Sequence, residues 1–411
     1  MRCPTIHSVS ILLAAFVCSV ANAQVRLGLQ DAVRLALEKN AYLSAGEQRL
    51  GVSRGLVQQA GLKPNPRLYL QQENVRFWQS PGINYRRDTD TFAYAGYTVE
   101  LGGKRERRVE YAAANVSRLE ADQALFSRQV AARVGAAYWT AAGAARVVSL
   151  LAEERHNLAQ VVRYTESRVR EGAAAGADLV RIQLESQRVD ALLAVAEQDA
   201  ERSRVGVYRE IGIEPVESVE FSDPVERLQD VSIPELPTVL ERRPEVTLAR
   251  RALLQAEANL KLQRSNARPD PDFLLGYKRT AGYDTLIAGV QINLPVRNRN
   301  QGFIAAAEAE VRGARDTVRA VETQVRAELQ ASERDYTLKR KLVSGELISM
   351  VQRSKDASRI AQFAFREGGV DVLRLLDAER IRIETQLLYT RSLADFQQSA
   401  VALQVAAGVN P

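Results

Sequence analysis

The sequence predicts a mainly α-helical protein with a small β part, organised as a two-fold internal repeat of long coiled-coil helices. Three observations predict it. The same order of local signals occurs twice, about two hundred residues apart. Each copy carries an apolar helical pattern of nearly seventy residues. Each also sets two short strand-like segments between a proline punctuation and a basic turn.

Residues 1–23 read as a signal peptide. Arg2 precedes an apolar run from Ile11 to Val20, and Ala21-Asn22-Ala23 supplies the small residues of a cleavage site, so the mature chain is expected to start at Gln24 without a lipid. Valine at position 17 is a poor context for lipid attachment at Cys18. Both cysteines, Cys3 and Cys18, fall in this segment, which leaves the exported chain no thiol for a disulfide or a soft metal. The whole chain carries 56 basic and 50 acidic side chains for a net charge of +6. That is a solvated mixed surface and not a nucleic-acid stripe. No apolar run beyond the signal approaches the roughly 18 residues of a membrane helix. A membrane-spanning part would therefore consist of strands.

The first copy, 24–213, opens with helix around Leu37-Glu38-Lys39-Asn40, punctuated by Lys63-Pro64-Asn65-Pro66. A hairpin over 66–101 follows, then a long helix 103–170, a tip 171–178 and a closing helix 178–212. Residues 214–237, with four prolines and several acids, read as the connector. The second copy, 238–411, repeats the order: helix around Leu240-Glu241-Arg242-Arg243, punctuation at Arg268-Pro269-Asp270-Pro271, hairpin 272–295, long helix 297–366, tip 367–371 and closing helix 371–408.

In the long helices, apolar residues step by three and four. Val109, Ala112, Val116, Leu119, Phe126 and Val130 begin a seam that runs on through Val147, Leu151, Leu158 and Val161. The second copy repeats it from Ile304 through Val325, then shifts phase by one residue at Leu329, a stutter that locally relaxes a supercoil. Each helix would span roughly 100 Å at 1.5 Å per residue. The many alanines on the seams allow close helix approach.

Of the strand segments, Thr285 to Leu294 alternates most clearly, with Leu286, Ala288, Val290, Ile292 and Leu294 on one face. Phe92–Leu101 and Phe273–Thr280 alternate more loosely, and Arg67–Trp78 is mixed. Aromatics crowd these segments, among them Tyr69, Phe92, Tyr94, Tyr97, Phe273 and Tyr277, as expected of an interfacial girdle. Four strands cannot close a conducting barrel. Several chains must contribute, and three would supply twelve strands.

The residues at this point resemble the TolC-like outer-membrane efflux proteins, and more narrowly the outer-membrane component of cobalt-zinc-cadmium (heavy-metal) RND resistance systems. The resemblance covers nearly all of the mature chain. It rests on Glu100-Leu101-Gly102-Gly103-Lys104-Arg105, on Leu294-Pro295-Val296-Arg297-Asn298-Arg299-Asn300-Gln301-Gly302, and on Val370-Asp371-Val372-Leu373. It implies a homotrimer: a twelve-stranded β-barrel in the cell outer membrane, in contact with its lipid, continuous with an α-helical tunnel in the periplasm. It further implies docking through a periplasmic membrane-fusion adaptor onto an inner-membrane RND pump.

The periplasmic mouth in this family is built from helical tips, which match Arg170, Glu171, Gly172, Asp178 and Arg181 in the first copy and Arg366, Glu367, Gly368, Asp371 and Arg374 in the second. Relatives often carry two acidic residues one turn apart after the second tip glycine. Here Arg374 stands in place of the second, and Arg181 after Asp178 repeats the substitution. An Asp-Arg pair at i, i+3 can neutralise itself, which weakens the expectation of a strongly acidic gate. Gly102, Gly103, Lys104 and Arg105, with Pro295, Arg297, Asn298 and Arg299, are expected to bend strand into helix, their basic side chains near the barrel rim.

No enzyme is expected. Gly102-Gly103-Lys104 lacks the spacing of a phosphate loop. Glu153 and His156 have a di-iron spacing that needs a second such motif, and the mature chain holds one histidine. The sequence thus points to a passive exit duct with no cofactor and no nucleic-acid partner, and by resemblance to export of divalent heavy-metal cations. The alternatives are the outer-membrane factor of a multidrug or solvent pump or of a type I secretion system, and, in another class, a soluble periplasmic coiled-coil adaptor.

Overall fold

A computed structural model of the chain describes residues 25–75, 84–215 and 219–409. The signal segment with Cys3 and Cys18, and the expected strand end at Trp78, lie outside these residues. The first copy comprises β1 (Val25–Leu27), α1 (Leu29–Lys39), α2 (Ala41–Ala60), β2 (Arg67–Glu73), α3 (Tyr85–Asp88), β3 (Asp90–Thr98), α4 (Lys104–Arg170) and α5 (Gly176–Ile211). After it come β4 (Val219–Phe221), α6 (Leu236–Arg242), α7 (Pro244–Asn266), β5 (Pro271–Thr280), β6 (Tyr283–Ile292) and α8 (Gln301–Lys341). One π-helical turn, Leu342–Leu347, joins α8 to α9 (Ile348–Arg366), and α10 (Val372–Ala406) closes the chain.

Each copy starts with a short helix, a break and a longer helix, and the break has a local cause. Asn40 stops α1 and caps α2, its side chain accepting from the Tyr42 amide. Pro244 opens α7, where a missing N–H leaves nothing unsatisfied. α4 then runs 67 residues without interruption, about 100 Å.

Several expected boundaries move. The second long helix begins at Gln301 instead of Arg297, because Asn300 sits in the left-handed region (φ 61°) and side chains take the preceding amides: Asn298 accepts from Asn300, and Gln301 from Arg299. The seam does shift phase at Leu329, which is buried four residues after Val325 within a regular α8, and the helix itself turns irregular further on, at 342–347. Strand β2 stops at Glu73, since Asn74 turns left-handed (φ 59°) and donates to Asp90 across the hairpin. β3 ends at Thr98, ahead of the glycine turn.

The two hairpins form one sheet, not two. Its order is β2-β3-β5-β6, all antiparallel, so the copies meet where Tyr94 pairs with Gly276 and Gly96 with Leu274. β1 and β4, which the sequence reading did not anticipate, pair in parallel and tie the connector back to the N-terminal segment.

The main core lies beside this pair. Ala32 and Ala36 of α1, Val130, Val134 and Tyr138 of α4, Val207 and Ile211 of α5, and Phe396 and Leu403 of α10 are all fully or almost fully buried. Tyr138 Oη lies 2.7 Å from Asp223 Oδ2 and 3.1 Å from the Leu27 carbonyl, and the same carboxylate oxygen accepts from the Leu29 amide at the start of α1. Burial pushes the Tyr138 hydroxyl above the usual phenol range, with Asp223 beside it adding to the shift, so it stays a donor.

One expectation about α4 needs correction. A stretch of it does reach the hydropathy of a membrane helix, but more than half of that stretch is buried inside the protein. It is a core helix. Gly143 shows how closely it packs: a β-carbon there would stand 2.5 Å from the Ala394 β-carbon on α10. Small residues on the seam thus let the two copies touch backbone to backbone.

Candidate functional site

Both long helices end in the same way. In α4 the Glu171, Gly172 and Ala173 amides donate to the Ser167, Val169 and Arg168 carbonyls, and Gly172 takes φ 73°. At the end of α9 the Glu367, Gly368 and Gly369 amides donate to Phe363, Phe365 and Ala364, with Gly368 at φ 74°. These are left-handed helix caps that satisfy the last carbonyls. A β-carbon at either glycine would meet nothing within 4 Å, so the dihedral alone demands glycine.

The returning helices differ. Asp371 caps α10, accepting from the Arg374 amide at 3.0 Å, so its carboxylate pairs with the backbone and not with the Arg374 side chain. Asp178 does face Arg181, at 3.8 Å, with both partly exposed. Such a pair contributes a few tenths of a kcal/mol. Arg170, Glu171, Arg366, Glu367 and Arg374 are exposed. The two tips lie side by side, since Ile182, Val372 and Leu376 form one buried cluster with Val161, Val162 and Phe365 packed on it.

Just behind this cluster is an ion network that the sequence reading missed. Arg382 of α10 is buried and forms a two-pronged pair with Glu154 of α4, through a 2.6 Å bond and a second, shorter one. It also bonds Glu379 at 2.6 and 3.0 Å, and its Nε lies 3.2 Å from Ser358 Oγ on α9. Ser358 and Gln362 donate to the other Glu379 oxygen. Burial opposes the guanidinium charge, but the hydrogen bonds and charges of Glu154 and Glu379 prevail and hold its pKa well above the usual value. A second bridge sits beside it, where the buried Glu185 of α5 takes Arg188 at 3.0 Å and Arg380 of α10 at 3.1 Å. The available signal was Glu154 itself, a charge on the seam between Leu151 and Leu158. His156 is an exposed neighbour of Gln160 and takes no part.

At the strand-to-helix turn of the first copy, Gly102 and Gly103 are both left-handed (φ 75° and 69°) and start α4. Lys104 stands at this turn, where it was expected. It is buried, its ammonium 2.6 Å from Asp270 and 2.6 Å from the Arg268 carbonyl, while the Leu101 amide donates to the same aspartate. The proline punctuation of the second copy therefore anchors the basic turn of the first. Arg105 lies beside Glu106 at 3.7 Å. In the second turn Pro295 is capped by Arg299, whose Nε donates to its carbonyl, and Arg297 likewise accepts at its carbonyl from Gln301. These contacts explain the turn, and Arg297, Asn298 and Arg299 are exposed there beside Leu294 and Val296.

The sheet register separates two faces. Leu68 and Leu70, then Ala93, Ala95 and Tyr97, then Phe273, Leu275 and Tyr277, then Leu286, Ala288 and Val290 occupy neighbouring positions on one face. Over those positions the face is apolar, with Leu68, Leu70, Leu275 and Leu286 exposed by 64–84%, and at the hairpin end it turns polar through Gln72, Thr91, Arg279 and Asp284. The other face is mixed, with Arg67, Gln71, Asp272, Lys278, Thr285 and Gln291 among its residues. It also carries Tyr69 stacked on Tyr94 at 4.9 Å and Phe92 under Lys278, so these aromatics do not belong to an outward girdle. An exposed apolar face backed by a polar one is the pattern of a lipid-facing barrel wall.

Comparison with known proteins bears on the fold and the family. The family profile of the outer membrane efflux proteins matches residues 32–212. The cobalt-zinc-cadmium resistance protein CzcC of Cupriavidus metallidurans is 25% identical over 380 residues, 92% of this chain and 89% of that protein. The chain is similar to the outer membrane efflux proteins over its first repeat and to CzcC along nearly its whole length. Among solved structures, a membrane protein from Pseudomonas aeruginosa superposes with a TM-score of 0.77 at 18% identity, covering 94% of this chain and 91% of that one. The open MtrE outer-membrane channel of Neisseria gonorrhoeae gives 0.77 at 18%, covering 93% and 89%. VceC of Vibrio cholerae gives 0.74 at 18%, covering 93% and 96%. These likenesses establish the fold of both repeats, beyond the first repeat that the profile covers. The matched profile describes outer membrane efflux proteins, and VceC and MtrE are outer-membrane proteins.

Proposed function

We propose that this chain is a non-enzymatic outer-membrane efflux channel with its helical tunnel in the periplasm, that it is the exit duct for divalent heavy-metal cations, that it works as a homotrimer, and that the tips around Gly172 and Gly368 are its periplasmic mouth, where an adaptor and an RND pump dock. The cargo rests on one observation, the likeness to a cobalt-zinc-cadmium resistance protein along 92% of the chain. The trimer is supported by the sheet: β2 and β6 are open edges, and an apolar face without a closed barrel leaves both edges unsatisfied in a membrane. Pairing β6 of one copy with β2 of the next closes the wall, and three copies give the twelve strands that a conducting barrel needs. Energy comes from the inner-membrane partner, so the duct needs no chemistry of its own. Its parts are a lipid-facing wall, a long helical conduit and a mouth that can change width.

Deleting the gene and titrating the host with Co²⁺, Zn²⁺ and Cd²⁺, and in parallel with detergents and antibiotics, tests the cargo. Metal tolerance is expected to fall while drug tolerance holds. The opposite pattern would assign the channel to a multidrug pump, and lost export of a protein would assign it to type I secretion. Electron microscopy of the purified protein is expected to show three-fold particles roughly 140 Å long, adding a membrane-spanning barrel to helices of about 100 Å.

Two substitutions test the mouth. Gly368→Val puts a β-branched residue at φ 74°, a strain of about 1–2 kcal/mol on the cap. Efflux is expected to fail while the protein still assembles in the outer membrane, because the turn is far from the sheet. Arg374→Asp is expected to increase cation selectivity, with one acidic group added per protomer next to the capped Asp371. An unchanged reversal potential in planar bilayers would place Arg374 off the conduction path.

A further inference from the structure

Two guanidinium groups are buried where the end of α10 meets the break between α6 and α7, and they are compensated differently. Arg243 bonds Glu245 at 2.8 Å and Glu328 at 2.7 Å, and its third nitrogen donates to the Ala406 carbonyl at 3.0 Å. Arg128 of α4, only 8% exposed, meets no carboxylate among the described residues. Its Nη2 donates to the Val405 and Val409 carbonyls at 2.8 and 3.2 Å, and its Nε is buried without a hydrogen-bond partner. The carbonyl end of a helix carries about half a negative charge, so α10 balances only part of this guanidinium. Burial and the charge of Arg243 pull the Arg128 pKa below the usual guanidinium value; Glu245 acts the other way but is already bonded to Arg243. A buried charge without a full counter-charge is costly, and an anion beside it removes that cost.

Room for one exists. Arg128 lines an open groove of about 800 Å³ between α1, α4 and the α6–α7 break. Arg34 of α1 and Arg242 at the end of α6 line it too, together with Pro244, the first residue of α7, and Gly408. Arg34 shares its charge with Asp31 at 2.6 Å, whereas Arg242 is exposed and makes no hydrogen bond or ion pair among the described residues. No side chain caps the N-terminus of α7, which adds partial positive charge at the same edge. The one acid lining the groove is Glu38, which pairs with none of the three arginines.

We propose that this groove binds an oxyanion of the phosphate class, with Arg128 as its buried anchor and Arg34 and Arg242 flanking it from the two copies of the repeat. A guanidinium is planar and always charged, and its fork of N–H donors fits two oxygens of such an anion; Arg128 has donors left after Nη2 has gone to α10. A doubly charged anion offsets Arg128 and Arg242 together. It also links α1 of the first copy to the α6–α7 break of the second, and so stabilises the folded chain by mass action. The site does not depend on the exported cargo, on the tips or on the number of copies.

Calorimetric titration of the purified full-length protein with inorganic phosphate, in a chloride buffer free of phosphate, is expected to show one saturable site per chain. The thermal midpoint is expected to rise with phosphate concentration. Arg242→Gln changes an exposed side chain without contacts, so the variant is expected to fold as the parent does and to bind about tenfold more weakly, the loss of one hydrogen bond to a charged group. Arg128→Met is expected to abolish binding; if it does not fold, the double variant Arg34→Gln, Arg242→Gln, expected to lose saturable binding, decides instead. Glycerol phosphate titrated in parallel identifies the source of the anion: tighter binding than inorganic phosphate assigns the groove to a phosphorylated molecule, and equal or weaker binding to the free ion. Absence of saturable phosphate binding, phosphate affinity unchanged in Arg242→Gln and in the double variant, or acetate binding more tightly than phosphate would each overturn the proposal.

Discussion

Arg382→Ala is expected to destabilise the helical part of the chain by about 3–5 kcal/mol, the usual cost of breaking a buried ion pair by removing one partner. The substitution leaves the Glu154 and Glu379 carboxylates, both buried, without their shared cation, and it removes the only side chain that bonds α4, α9 and α10 at one point among the described residues. Thermal unfolding of the purified protein measures the effect. The uncharged triple variant Glu154→Gln, Arg382→Met, Glu379→Gln should recover most of the loss, because a buried ion network is stabilising mainly relative to its own broken forms. An Arg382→Ala protein within about 0.5 kcal/mol of the parent would mean that the cluster is solvated in the assembly.

Gly276→Val is expected to prevent insertion altogether. A β-carbon at Gly276 would lie 2.3 Å from the Tyr94 Cα and 2.4 Å from the Ala93 carbonyl oxygen, both across the β3–β5 pairing. Those are backbone atoms, so a side chain cannot be accommodated by a rotamer change. The strands must separate where the two copies of the repeat are joined, and each separated pair exposes backbone groups that have no water to bond in a bilayer. Membrane fractionation with heat-modified gel mobility reads the outcome: the variant should be absent from the outer membrane, whereas Gly289→Val on β6, which has only Leu274 near it at 3.9 Å, should insert. Normal insertion of Gly276→Val would show that β3 and β5 are not directly paired in the assembled wall.

Much of this architecture was legible because it is written in local periods. The 3.6-residue pattern from Val109 to Val161 fixes a long helix whatever it packs against, and glycines 172 and 368 mark its end because only glycine takes the left-handed cap without strain. The alternation from Leu286 to Ile292 fixes the face of β6 for the same reason, and tertiary structure placed those residues together as expected.

Other features depended on partners distant in sequence. Glu154 and Arg382 are 228 residues apart, and neither chooses the other until α4 and α10 lie together. Lys104 looked like one more surface cation in a basic turn, and it became a buried anchor only because the second copy brings Asp270 to it. The mixed composition of β2 and β3 hid their faces, which pairing with β5 then settled by register. A chain's own period sets what each segment becomes, since that depends on backbone and neighbouring side chains; which segments meet is decided only when burial energy selects among the partners the fold makes available.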